Sequence, residues 1–331
     1  MKIITLEEHV HLKRLGQTLN KYYNEDSENA KAAGGKDLPY FPDFRVYSED
    51  GISARIADMD RCGIDKQILS CPVQTQILDK KEAADAVREA NDDLLAIMQK
   101  NKERFGGFGL LPWSDIEASV KEIHRLKALG FDGVLLAGRP SMEAVFLDDE
   151  RYLPILRALG ETNTPLYLHP APPLKSVQEQ YYGGLGERLS ARLSLYGWGW
   201  HNEVGVQCVR MILAGVLEKC PELQVIIGHW GEFVPFFLSR LDQALPKKVT
   251  NNENTITETF KKHFYVTPSG IFDYPQLKFC IDTLGADRII HSVDFPFIRN
   301  DEAKSFIENA PIEQEEKEQI AYKNAERLFG K

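Results

Sequence analysis

No stretch of this chain reaches the roughly 18 consecutive apolar residues that a membrane-spanning helix needs, so no membrane partner is expected. The start lacks a basic segment followed by a long apolar run and a small-residue cleavage site, which predicts a cytoplasmic protein. Cysteine is scarce: Cys62, Cys71, Cys208, Cys220 and Cys280 lie far apart with no C-x-x-C pair, predicting reduced thiols rather than a disulfide framework. Positive charge is also short, with 40 Lys and Arg against 49 Asp and Glu for a net charge of −9. Without a basic cluster interleaved with aromatics, nucleic acid is a poor partner. There is no internal repeat and no low-complexity run. What remains is 331 residues, 43% hydrophobic and 27% charged, enough for a large soluble core.

Short β-branched or aliphatic runs alternate with longer segments of helical period. The predicted strands are KIITLEEH (2–9), KQILSC (66–71), RFGGFGLLP (104–112), DGVLLAG (132–138), PLYLHP (165–170), QVIIGHW (224–230), HFYVTPS (263–269) and RIIHSVD (288–294). Several of the intervening helices end in Gly, the residue that best closes a helix in the left-handed conformation. Eight strand–helix repeats predict parallel strands with right-handed crossovers, hence a (β/α)8 TIM barrel. A doubly wound sheet is the alternative, but its dinucleotide form wants G-x-G-x-x-G at the first strand-to-helix turn, where none occurs. The expectation is a single barrel domain over 1–331 with a long loop insertion at about 13–50. There AAGGKDLPYFPDF reads as an ordered loop with aromatics to pack, suited to serve as a lid.

In such a barrel, active sites gather at the C-terminal ends of the strands. The chain places ligand-type residues there repeatedly: Glu7, His9 and His11 in IITLEEHVHL, His169 after the fifth strand, His229 after the sixth and Asp294 after the eighth. A lone histidine at a strand end is more often structural, yet four strands delivering such residues to one rim points to a divalent metal. Imidazole with carboxylate suits Zn²⁺ or Mn²⁺, and an oxygen-rich sphere also admits Mg²⁺. Residues two apart on a strand share a face, so Glu7 and His9 can serve one ion while Glu8 points into the wall, and His9 with His11 is the competing pair.

E-x-H on the first strand, YLHP (167–170), GHWGE (228–232) and SVDFP (292–296) resemble motifs of the amidohydrolase superfamily. The likeness is to its metal-dependent nonoxidative decarboxylases, of the γ-resorcylate and 2,3-dihydroxybenzoate kind. RIADMDRCGIDKQILS, FLDDERYLPI, the segment from WGWHNE to GHWGE, and NAERLFG extend it over nearly the whole chain. The resemblance implies Glu7, His9, His169 and Asp294 as metal ligands, His229 as an acid/base residue and Glu232 as its orienter. It also implies Arg240 as a substrate-placing residue and leaves His11 as pocket wall. The chain departs from the pattern in carrying His9 where many relatives have alanine, and His291 where an aromatic or apolar residue is common. His291, three before Asp294, is expected to face the core. His124 and His263 read as structural, and His201 as pocket lining or subunit contact.

Two-metal hydrolases often bring a bridging Lys or Glu on the fourth strand; here that strand ends VLLAGRP, which predicts one metal and no organic cofactor. The implied reaction is loss of CO2 from an ortho-hydroxylated benzoate, a small aromatic acid. Proton donation by Asp294 to the ring carbon avoids an aryl carbanion, and Trp230, Phe295, Phe297 or the Trp198/Trp200 pair flank the ring. Each aromatic is equally at home in an ordinary core. The alternative function is a mononuclear metal-dependent hydrolase of a lactone or amide. A third is a noncatalytic binding barrel. Relatives assemble as homodimers or homotetramers, and the aromatic- and Gly-rich segment 181–205 is the expected contact.

Overall fold

The computed structural model describes residues 1–22, 31–34 and 44–330. Seven parallel strands form one sheet in chain order: β1 (Ile4–His9), β2 (Lys66–Ser70), β3 (Phe105–Gly109), β4 (Gly133–Ala137), β5 (Leu166–His169), β6 (Val225–Ile227) and β7 (Phe264–Val266). The order contains no reversal, so the doubly wound alternative, which requires one, does not hold. Between strands run helices such as Ile52–Cys62, Lys80–Lys100, Ile116–Leu129 and Gly199–Leu213.

Both faces of the sheet are buried, which is why its strands read as near-continuous apolar runs. One face carries Ile4, Leu6, Ile68, Phe108, Leu135, Tyr167, Ile226, Tyr265 and Ile290 in a single cluster. The alternate residues, among them Ile3, Leu69, Val134, Leu136, Leu168, Val225 and Ile227, pack against the helices. Burying each such side chain contributes about 1.5–3 kcal/mol. Local signals start and stop the helices: Asp115 caps Ile116–Leu129 by accepting from the Ala118 N–H at 3.1 Å, and Gly130 ends it at φ 85.

Two expectations need correction. The eighth strand, 288–294, is not a regular strand. It makes isolated parallel bridges, Val266 with Ile289 and Leu6 with Ser292, and so joins β7 on one side and β1 on the other. Its ladder is broken because the N–H groups of Val293 and Phe295 donate to the Glu8 carboxylate, and that of His291 to the Ile320 carbonyl. The insertion at 13–50 is likewise not all loop: Lys13–Leu19 is a helix that buries Leu15 and Leu19, four apart on one face. The stretch read as a lid, AAGGKDLPYFPDF, lies mostly outside the described residues.

Candidate metal centre

Strand β1 carries the first ligands, and its register decides where they point. Thr5 pairs with Gln67 and Glu8 with Leu69, so β1 spends one more residue than β2 between these pairs. That bulge centres on Glu7, at φ 63, and puts Leu6 and Glu7 on the same side of the sheet. Alternation then resumes, with Glu8 turned to the helix side and His9 to the Glu7 side. The carboxylate of Glu7 fits only because residue 228 is glycine: a Cβ there would lie 3.1 Å from Glu7 Oε2 and 2.6 Å from Ser269 Oγ.

Ligand-type atoms of Glu7, His9, His169 and Asp294 all lie within 4.8 Å of one another. His9 Nδ1 meets Ser70 Oγ at 2.9 Å and its Nε2 meets Asp294 Oδ1 at 2.9 Å. His169 Nδ1 lies 2.6 Å from the Pro170 carbonyl, which only accepts, so Nδ1 carries the proton and Nε2 presents a lone pair. That lone pair faces Glu7 Oε1 at 3.6 Å, and Oε1 is buried with no hydrogen-bond donor. Glu7 Oε2, by contrast, accepts from Ser269 Oγ. With Glu7 ionised, two acceptors face each other in a buried site at a cost of about 1–3 kcal/mol per unmet group, and a cation between them removes it. Two imidazoles and two carboxylates suit a divalent ion of the Zn²⁺, Mn²⁺ or Mg²⁺ type, so the residues fit a metal.

Electrostatics point the same way. Burial pushes the Glu7 carboxyl up to about 8 and pulls His169 down to about 3, so the buried site disfavours charge on either, and a cation between them is what would hold Glu7 as the carboxylate. Burial would raise Asp294, but the nearby imidazole of His229 and the hydrogen-bonded one of His9 hold it down at about 2.

A second cluster adjoins the first. His229 Nδ1 meets Glu232 Oε1 at 2.8 Å, while His201 Nδ1 meets Glu232 Oε2 at 2.8 Å, so one buried carboxylate serves two imidazoles. The Nε2 of His229 lies 3.9 Å from Asp294 Oδ2. Burial lowers His229, but Glu232 and Glu7 outweigh it and hold the imidazolium well above its ordinary range. Burial raises Glu232, and His201 and His229 overcome it to keep the carboxylate ionised. The loop that builds this cluster is tight: His229, Trp230, Gly231, Glu232 and Phe233 all have positive φ.

The structure thus brings together seven of the sequence-predicted residues: Glu7, His9, His169, Asp294, His229, Glu232 and His201, the last through its bond to Glu232. Phe297 joins them, its ring 5.7 Å from that of His9 and 42% exposed at the rim. Other expected residues lie elsewhere. Trp230, thrown outward by its left-handed backbone, packs in the core with its indole N–H on the Ile271 carbonyl at 2.8 Å. Arg240 is exposed on helix Val234–Ala244, and no ion pair holds it among the described residues. His11 bonds through its backbone to Tyr47 and lines a separate cavity of about 340 Å³ with Leu12, Gly16, Tyr47 and Val73. His291 is buried, as expected, with Nε2 on the Ala303 carbonyl at 2.8 Å. Ser70, Thr267 and Ser269, at or just past strand C-termini, and Tyr167, two residues before His169 on the same face, line the cluster without a motif that marks them in the sequence.

A family model described as amidohydrolase matches residues 43–331. A γ-resorcylate decarboxylase of Polaromonas sp. is 33% identical over 302 residues, covering 87% of this chain and 90% of the relative. The crystal structure of 5-carboxyvanillate decarboxylase from Sphingomonas paucimobilis superposes with a TM-score of 0.87 at 27% identity, covering 99% of both chains. That of a dihydroxybenzoic acid decarboxylase from Polaromonas sp. JS666, with bound manganese and the inhibitor 2-nitroresorcinol, gives 0.82 at 31% identity, covering 99% and 97%. With a parallel sheet that gathers two imidazoles and two carboxylates at strand ends, and a family match over most of its length, this chain belongs to the amidohydrolase family.

Proposed function

We propose that the protein is a metal-dependent nonoxidative decarboxylase of an ortho-hydroxylated benzoate, such as 2,6- or 2,3-dihydroxybenzoate. It would act at the C-terminal rim of a (β/α)8 barrel that the bridging segment around Ile289 and Ser292 closes. The observation that carries this reading is the buried Glu7 Oε1 facing the His169 Nε2 lone pair without a donor between them, in a chain whose relatives are decarboxylases of hydroxybenzoates. Glu7, His9, His169 and Asp294 would hold one divalent ion, Mn²⁺, Zn²⁺ or Mg²⁺. When bound, the ion supplies positive charge that orients the substrate carboxylate and its ortho oxygen.

The remaining work falls to side chains. His229, an imidazolium fixed through Nδ1 by Glu232, first passes its Nε2 proton to Asp294 and then takes that of the ortho hydroxyl. Asp294 delivers a proton to the ring carbon that bears the carboxylate, drawing it from His229 across the 3.9 Å gap. That carbon becomes tetrahedral while the phenolate feeds electrons into the ring. The C–C bond then breaks, CO2 leaves, and aromaticity returns. One proton from solvent is consumed per turnover, so carboxylation of a phenol at high bicarbonate is the reverse reaction. Phe297 lies against one side of the space beside His9, where a ring would stack.

The test is incubation of Mn²⁺-loaded protein with 2,6-dihydroxybenzoate in D2O. The expected product is resorcinol carrying one deuterium at the carbon that lost CO2. Absence of CO2 release from every ortho-hydroxybenzoate, with ¹⁸O from labelled water entering a lactone or amide product instead, would establish the hydrolase alternative.

A further inference from the structure

Two of the four metal-centre residues have backbones that L-amino acids rarely adopt: Glu7 at φ 63 and Asp294 at φ 68. Such conformations cost about 1–3 kcal/mol each and persist only where the surroundings hold them. One side chain touches both places. Glu8 follows Glu7, is fully buried, and turns away from the ligand cluster. Its Oε1 accepts the N–H of Val293 at 3.0 Å and its Oε2 the N–H of Phe295 at 3.3 Å, the two residues that flank Asp294. The His9 N–H adds a third tie by donating to the Phe295 carbonyl at 2.7 Å. Behind these sits Arg55, also fully buried, which donates to the His9 carbonyl and to Gln67 Oε1 and lies 4.9 Å over the Phe295 ring.

We propose that Glu8 is a positioning residue of the metal centre, its carboxylate clamping the two peptide groups around Asp294 and so setting the distance from Asp294 to Glu7 and His9. The inference rests on the proposed metal-dependent function. A carboxylate is the group the place demands, because both backbone partners are donors and only an all-acceptor side chain satisfies them together. Glu8→Gln keeps the volume but sets an amide N–H against a backbone N–H, which forces one tie open.

The experiment is Mn²⁺ titration of the metal-stripped full-length protein, followed by the electron-spin signal of the free ion. Glu8→Gln is expected to weaken Mn²⁺ binding by about 10- to 100-fold, the usual effect of losing a partner that orients a ligand. Glu8→Asp, which keeps two acceptor oxygens, is expected to fall between wild type and Glu8→Gln. Asn91→Leu perturbs another buried polar network, on Leu110 and Glu122, with no bond to Glu8, Val293 or Phe295, and is expected to lower the melting temperature yet bind Mn²⁺ with wild-type affinity. Wild-type affinity in Glu8→Gln overturns the clamp, and so does equal weakening in Asn91→Leu or a Glu8→Asp variant weaker than Glu8→Gln. A wild-type protein that binds no Mn²⁺ overturns the proposed function and the clamp together.

Discussion

His291 sits three residues before Asp294, fully buried beside the stacked Phe272 and Phe306 rings, with Nε2 on the Ala303 carbonyl and Nδ1 without a partner. Burial pulls its pKa from the ordinary 6.5 to about 4. A histidine depressed in the folded state favours folding above its unfolded pKa, and that contribution fades as pH falls from 6.5 toward 4. Taking these two values, the unfolded chain gains about 2 kcal/mol relative to the folded one between pH 7.5 and pH 5 from this site alone. His291→Gln keeps a donor for the Ala303 carbonyl but cannot titrate. Urea unfolding of metal-loaded wild type and variant at both pH values measures the difference, and other titrating groups cancel because both proteins share them. The variant is expected to be less stable at pH 7.5, by about 1 kcal/mol for the poorer packing, and level with or above wild type at pH 5. Parallel loss of stability in the two proteins would refute the assignment of a neutral, desolvated imidazole.

Asp294→Asn removes both a ligand and the proton route; turnover of 2,6-dihydroxybenzoate should fall below detection while circular dichroism and melting temperature show an intact fold. Chelation should abolish activity and one equivalent of Mn²⁺ should restore it, with elemental analysis finding about one divalent ion per chain, since four ligands make one site. Arg139 and Glu203 form a buried ion pair linking the end of β4 to helix Gly199–Leu213, so Arg139→Met, which breaks that pair, should destabilise by about 3–5 kcal/mol in thermal unfolding. His201→Phe removes the second imidazole on Glu232; kcat should drop with little change in KM, because the residue touches Glu232 rather than the site's open space.

Much was legible before any coordinates. Strand–helix alternation, with apolar runs in every strand, dictates a parallel sheet buried on both faces. The ligand types at strand ends mark a rim able to hold a metal, since a two-residue period sends Glu7 and His9 to one side. Local pattern runs out where the backbone leaves its regular period. A bulge on β1 and left-handed residues at 229–233 and at 294 are not written in hydrophobicity, and they decide that Trp230 turns into the core while Glu232 reaches two histidines. Likewise 288–294 has a strand's composition, yet loses its ladder because a side chain from β1, Glu8, competes for its N–H groups. The residue types that bind and move protons are thus a property of the sequence. Which of them meet, at what distance, and which buried atoms are left without partners follow only from closing remote segments onto one another.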